Sequence, residues 1–345
     1  MRIPKPLLNI LKLLFTILLL FLIFQSIDIS KIGTDLRSFS LGRLFALLII
    51  CWMGQLLCSE RWRIFASSLG MEGRYRSFVQ MYFMGMFFNI GLPSLIGGDA
   101  IKAYVVSRKC NKPLHIGLAS VLQDRASGLI SLLIYGSLAV LLYPVSWRGL
   151  PLWIVYFVCW AAVAFFLWII LKGEVLYRRF LIPDSSAFLQ NMLRMIAGFH
   201  QALRLSSLKS RALFRIALYS FINSALVLWI SQQVSVAAGH KVDIIPFSAL
   251  LPIVTLATML PVTLNGLGVR EWCYVEALSL VGVPGSIGLC ISLATSALLL
   301  LCNLGGVFFL AGIPAELRRQ AYQLQQQEDG DGTAERRISK KNDVI

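Results

Sequence analysis

Leu92-Pro93-Ser94-Leu95-Ile96-Gly97-Gly98-Asp99-Ala100-Ile101-Lys102 interrupts one apolar segment of this chain. At an offset of 168 positions, Leu260-Pro261-Val262-Thr263-Leu264-Asn265-Gly266-Leu267-Gly268-Val269-Arg270-Glu271 interrupts another. Pro93 aligns with Pro261, Gly98 with Gly266, and Lys102 with Arg270. Proline removes a backbone donor and glycine loosens the backbone. Each stretch therefore reads as a helix that stops and restarts, with ionisable residues beside the break. Interrupted apolar segments at corresponding positions in two halves point to the binding site of a membrane transporter. The expected fold is an all-α polytopic membrane protein built as a repeat.

Composition supports that class. The chain has 345 residues, of which 57% are hydrophobic and 14% charged, and its mean hydropathy is +0.73. A soluble domain carries about 25% charged residues. The longest polar connection, roughly 172–211, is short for a catalytic domain of ~100 residues or more. The net charge of +15 does not imply nucleic acid. Lys and Arg collect in the cytoplasmic loops of membrane proteins, and no basic patch interleaved with aromatics stands out. The seven cysteines form no CxxC pair and the three histidines are isolated, so neither a metal site nor a cofactor is expected.

Six apolar runs are long enough to span a bilayer: 7–26, 41–59, 114–143, 151–171, 212–238 and 285–312. The first reads as an uncleaved span. The broken segments occupy 77–107 and 247–283. The N-terminus, the stretches 60–76, 102–112 and 172–211, and the tail carry 24 of the 32 Lys and Arg residues, whereas 27–43, 144–150 and 239–246 carry 5. The positive-inside rule then places both termini in the cytoplasm. The first broken segment enters from the cytoplasm and returns there; the second enters from outside and returns outside. The expectation is six spanning helices plus two re-entrant hairpins in an inverted-topology repeat. Its halves are 7–143 and 151–312, within a transmembrane domain of 1–315 that precedes a polar, disordered tail at 316–345.

The candidate site follows from these breaks. Irregular backbone at membrane depth must be surrounded by protein or a wet cavity, so the two tips should meet inside the bundle. Freed N–H groups at Gly97, Gly98, Asn265, Gly266 and Gly268, with the dipoles of the restarting helices, favour an anion. Lys102 and Arg270 add positive charge, and Arg offers two donors to a phosphate. Asp99 and Glu271 would hold these cations until a ligand arrives. Asp124 and Arg125 lie about ten residues inside a span, where charge is costly and must find partners; Asp124 is expected to meet Lys102 or Arg270. The plainer alternative is that these charges mark segment ends by snorkelling. Glu60-Arg61-Trp62-Arg63 closes the second span, either as an interfacial anchor or, through Glu60 and Arg61, as the place where a lipid headgroup enters. Asn89 is positioned to donate across the first hairpin. Residues 187–205 suit a helix lying on the cytoplasmic leaflet.

The same residues carry a resemblance. Arg61-Trp62, Leu92-Pro93-Ser94, Gly97-Gly98-Asp99-Ala100, Lys102-Ala103-Tyr104, Asp124-Arg125 with Gly128, and Leu260-Pro261 with Asn265 to Glu271 are similar to the flippase-like UPF0104 family. That family is the integral-membrane domain of lysylphosphatidylglycerol synthases, and the similarity covers about 7–315. The family commonly has Arg where this chain has Lys102, which keeps the charge but not the bidentate geometry. The resemblance implies a lipid flippase of the bacterial inner membrane that moves a phosphate-bearing phospholipid, aminoacylated in the case of the two-domain synthases. Aminoacyl transfer in the two-domain synthases belongs to a separate soluble domain, so enzymatic activity is not expected of this chain. The implied partners are a membrane lipid and a separate lipid-modifying enzyme, without nucleic acid. Two other readings stay open. One is a membrane-embedded transferase using Asp124 or Glu271 as general base; the other is a membrane tether for a synthase.

Overall fold

The computed structural model describes residues 40–91, 97–172, 208–259 and 266–310. The first expected span, the helix at 187–205, the tail and Asn265 lie outside the described residues. The chain is an all-α polytopic membrane protein. Its elements are α1 (Leu41–Ser68), α2 (Tyr75–Gly91), α3 (Gly97–Lys109), α4 (Leu114–Leu142), β1 (Ser146–Trp147), β2 (Leu150–Pro151), α5 (Leu152–Leu171), α6 (Ser210–Ala237), α7 (Ile244–Met259), α8 (Val269–Ser279), α9 (Gly285–Leu304) and α10 (Val307–Leu310). Among the described residues five stretches are long and apolar enough to cross a membrane: α1, α4, α5, α6, and the run Gly285–Phe309. Backbone groups in lipid must be satisfied within the segment, which makes these apolar runs helices.

Local chemistry sets the turns. Gly70 takes a positive φ of 75°, and the Met71 N–H reaches back to the Ala66 carbonyl at 2.9 Å, ending α1 in a glycine cap. After α3, Asn111 adopts φ 51° and Pro113 then takes the N-cap of α4. Arg148 and Gly149, with φ of 50° and 83°, form the two-residue turn between the antiparallel strands β1 and β2. Two positive φ values in a two-residue loop match the twist of a β-ribbon.

Side-chain contacts define two faces. The 29 residues of α4 measure about 43 Å at 1.5 Å per residue. Its beginning meets the end of α1 through Trp62 Nε1 donating to Ser120 Oγ at 3.1 Å, so residues 69–74 and 110–113 share one face and residues 143–151 the other. The first face carries Arg74, Arg76, Arg108, Lys109 and Lys112 and is the basic face. Helices α2 and α3 form an antiparallel hairpin that opens on it. Near the break, the Gly98 N–H donates to Asn89 Oδ1 at 2.9 Å; at the open end, Lys109 Nζ donates to Ser77 Oγ at 2.9 Å. Helices α7 and α8 pack on each other, and both outer ends lie at the other face. There Tyr156 Oη, on α5, donates to the Ala249 carbonyl at 2.8 Å, and Trp147 Nε1 donates to Glu276 Oε2 at 3.4 Å. The two hairpins thus begin and end on opposite faces of the bundle.

Helix packing repeats between the halves. α3 packs on α4 as α8 packs on α9, and α1 on α2 as α6 on α7. α1 packs on α4 as α6 on α9, α7 on α4 as α2 on α9, and α6 on α4 as α1 on α9. The contact between α1 and α6 maps onto itself. A pseudo-two-fold relation therefore runs through α1 and α6, with the sequence breaks in equivalent places.

Candidate functional site

The first hairpin brings its legs unusually close. A Cβ added at Gly98 would collide with the Gly85 carbonyl and the Asn89 amide, and one at Gly85 would collide with the Lys102 stem. Two glycines let the helices approach, and the Lys102 methylenes fill the groove. Lys102 ends 2.9 Å from Asp99 Oδ1, 4.2 Å from the Tyr82 ring centroid and 5.5 Å from that of Trp62. It is 2% exposed. A buried ammonium needs a counter-ion, and here two ring faces add cation–π attraction.

Adjacent residues on α4 reach two different helices. Arg125 grips Asp99 with both ends of its fork, Nε at 2.8 Å and Nη2 at 2.9 Å. Asp124 accepts from Arg61 Nε at 2.7 Å, with side-chain exposures of 1% and 4%. Arg61 Nη1 also donates to Ser220 Oγ on α6 at 3.0 Å. Consecutive positions on a helix point about 100° apart, so one residue faces α3 and the other α1. A Cβ at Gly128 would sit 3.3 Å from the Arg61 nitrogens, so glycine leaves room for the guanidinium. Three cations against two carboxylates leave this cluster one positive charge. Arg125, 41% exposed at its side chain, is its accessible edge.

The second hairpin is built differently. Gly268 caps α8 with φ 83°, and its N–H donates to Glu271 Oε2 at 2.6 Å. The other Glu271 oxygen lies 3.5 Å from the hydroxyls of Ser292 and Ser296 on α9. A buried carboxylate at a helix N-terminus complements the dipole. Arg270 Nη1 donates to Ser296 Oγ at 3.0 Å. Among the described residues no carboxylate pairs with Arg270.

These contacts correct several expectations. Asp124 meets Arg61, not Lys102 or Arg270. Arg61 and Trp62 are buried side chains in the helix contacts, not interfacial anchors, because the Asp124 carboxylate and the Ser120 hydroxyl draw them inward. Asn89 accepts across the hairpin through Oδ1, and among the described residues it donates to none. The N–H groups of Gly98 and Gly268 are not free for an anion, since Asn89 and Glu271 take them. Asp99 does hold Lys102, as expected, but Glu271 does not hold Arg270: it turns back to cap its own helix. The tips at 92–96 and 260–265, expected to meet, lie outside the described residues; the described legs lie against α4 or α9. Gly266 lies beside Arg270, which approaches within 3.7 Å of where its Cβ would be. Glu60 binds Arg63 and Arg215, each at 2.7 Å, on the basic face.

Residues 9–306 match the lysylphosphatidylglycerol synthase TM region. The chain belongs to that family. It is also 21% identical over 252 residues to a UPF0104 membrane protein of Methanocaldococcus jannaschii, covering 69% of this chain and 74% of the relative. No solved structure matches the chain. In this member of the lysylphosphatidylglycerol synthase TM-region family, further residues that sequence reasoning passed over touch the candidate site residues. Ser292 and Ser296 stand one turn apart inside an apolar span, a hydroxyl pair that could have been noticed. Tyr82 and Ser220 give no such signal, because single polar atoms in membrane helices are common packing groups.

Proposed function

We propose that this protein moves a phosphate-bearing lipid between the leaflets of a bacterial inner membrane, with both termini cytoplasmic. The observation that carries the reading is the pair of helical hairpins that start and finish on opposite faces of one pseudo-symmetric bundle. That arrangement suits alternating access, with the hairpins re-entrant and the two halves rocking about a shared site. Membership in a lipid-associated membrane family supports the substrate class.

Arg270 is the anion anchor in this reading. Among the described residues no acid has to be displaced before a phosphate can meet its guanidinium. Ser296 orients the fork, and Glu271 keeps the helix start capped so that it does not compete for the ligand. Arg125, on the edge of the first cluster, supplies the second positive contact. Lys102 acts through Asp99, holding that carboxylate beside Arg125, and does not touch the lipid. No aminoacyl transfer is assigned to this chain.

The test is translocation by purified wild type in liposomes whose headgroup-labelled anionic lipid starts in one leaflet. Acceleration over protein-free vesicles is the expected result; none, with folded protein and anionic and aminoacylated lipids both tried, overturns the reading. One observation favours a second reading: among the described residues Asp124 Oδ2 is buried without a hydrogen-bond partner, as a general base awaiting substrate would be. A lipid product formed by wild type and lost in Asp124→Asn would select that enzyme reading instead.

A further inference from the structure

A separate cavity of about 380 Å³ lies where the end of α1 meets the start of α6, lined by Arg63, Ile64, Ser67, Lys209, Arg211 and Arg215 among others. It is on the basic face, away from Arg270. Glu60 sits against two of its cations, accepting from Arg63 Nε and Nη2 at 2.7 Å and from Arg215 Nη2 at 2.7 Å. Among the described residues, no acid pairs with Lys209 or Arg211. Among the described residues, four cations against one carboxylate leave three positive charges around one pocket. We propose that this pocket binds the phosphate headgroup of an anionic membrane lipid, which stays at the basic face and need not be the lipid that is moved.

The shape of α6 argues for a lipid over a soluble phosphate. Arg211, Arg215, Leu218 and Ile222 follow at helical spacing and share one face. Leu218 and Ile222 are 42% and 40% exposed. Two cations at the membrane face thus give way, along one stripe, to uncovered apolar side chains running toward the bundle centre. On α1, Arg63 and the exposed Leu56 lie seven residues apart, again on one face. A headgroup on the cations places its acyl chains along these stripes. Basic pockets between membrane helices recognise anionic lipid heads in this way. The pocket straddles α1 and α6, the pair on which the pseudo-symmetry turns, so a bound lipid would brace that contact.

The test is lipid retention by the full chain in detergent, read by native mass spectrometry, with phosphatidylglycerol, phosphatidylcholine and free glycerol 3-phosphate as probes. Wild type should prefer phosphatidylglycerol to phosphatidylcholine, and the preference should fall as salt rises. Lys209→Gln with Arg211→Gln, which breaks no ion pair among the described residues, should lower phosphatidylglycerol retention about tenfold or more. Equal retention of the two lipids by wild type overturns the proposal, as does unchanged retention by the double variant. Glycerol 3-phosphate displacing phosphatidylglycerol at equal concentration would assign the pocket to a soluble phosphate, and so overturns the lipid.

Discussion

Asp124 and Arg61 show how far a single residue's role depends on a partner distant in sequence. The two are 63 positions apart and bonded at 2.7 Å. Removing one member of a buried pair leaves the other charge uncompensated, so Asp124→Ala should destabilise the protein by about 3–5 kcal/mol. Arg61→Met combined with Asp124→Leu should cost less than the sum of the two single changes, read as unfolding midpoints in detergent. Additive losses would mean that the pair does not act as a unit. Lys102→Met poses a different question. Arg125 still holds Asp99, so the loss should be about 1.5–3 kcal/mol, the worth of one charged hydrogen bond. Lipid movement by the folded remainder should persist; its abolition would make Lys102 a direct ligand. The sequence showed that Asp124 needed a partner, because charge inside a span is costly. It did not show which, since Lys102, Arg270 and Arg61 all lie within reach of a folded bundle. The structure decides through Asp99, which already occupies Lys102.

Elements were easier to read than contacts. Apolar runs marked the spans because lipid demands them, and Pro93 and Pro261 marked the breaks because proline cannot donate. The β-ribbon at 146–151 was not legible: it holds only two residues per strand, and Arg148-Gly149 resembles any polar loop. The close approach of α2 and α3 was also hidden, since Gly85 looks like an ordinary glycine in a span until the fold sets it against Gly98. That approach makes a prediction about the hairpin. Gly98→Ala pushes a methyl group into the Gly85 carbonyl and the Asn89 amide, and should cost about 1–3 kcal/mol as an overpacked contact. Gly282→Ala provides the contrast: its added Cβ meets nothing within 4 Å, but its φ of 79° strains an L-residue. Its cost should therefore be local, leaving hydrogen exchange in α2 and α3 unchanged, whereas Gly98→Ala should speed exchange in both legs. Equal exchange in the two variants would contradict the close contact.

At the scale of the whole molecule, the two hairpins open on opposite faces and the helix contacts repeat under exchange of the halves. In proteoliposomes of uniform orientation and a background lacking Cys110, Lys112→Cys and Arg148→Cys should react with an impermeant thiol reagent from opposite sides. Labelling from one side would break the arrangement of faces. The repeat was legible at three aligned positions, but its consequence was only partly so. The tips at 92–96 and 260–265, which were expected to meet, lie outside the described residues, while the described legs lie against α4 and α9. The most direct measurement is the rate at which headgroup-labelled anionic lipid crosses a proteoliposome membrane, wild type against Arg270→Ala, with both proteins shown to be folded. The account predicts rapid movement by wild type and its loss in the variant. Equal rates would contradict it, because Arg270, which has no acid partner among the described residues, would then have no part in moving lipid.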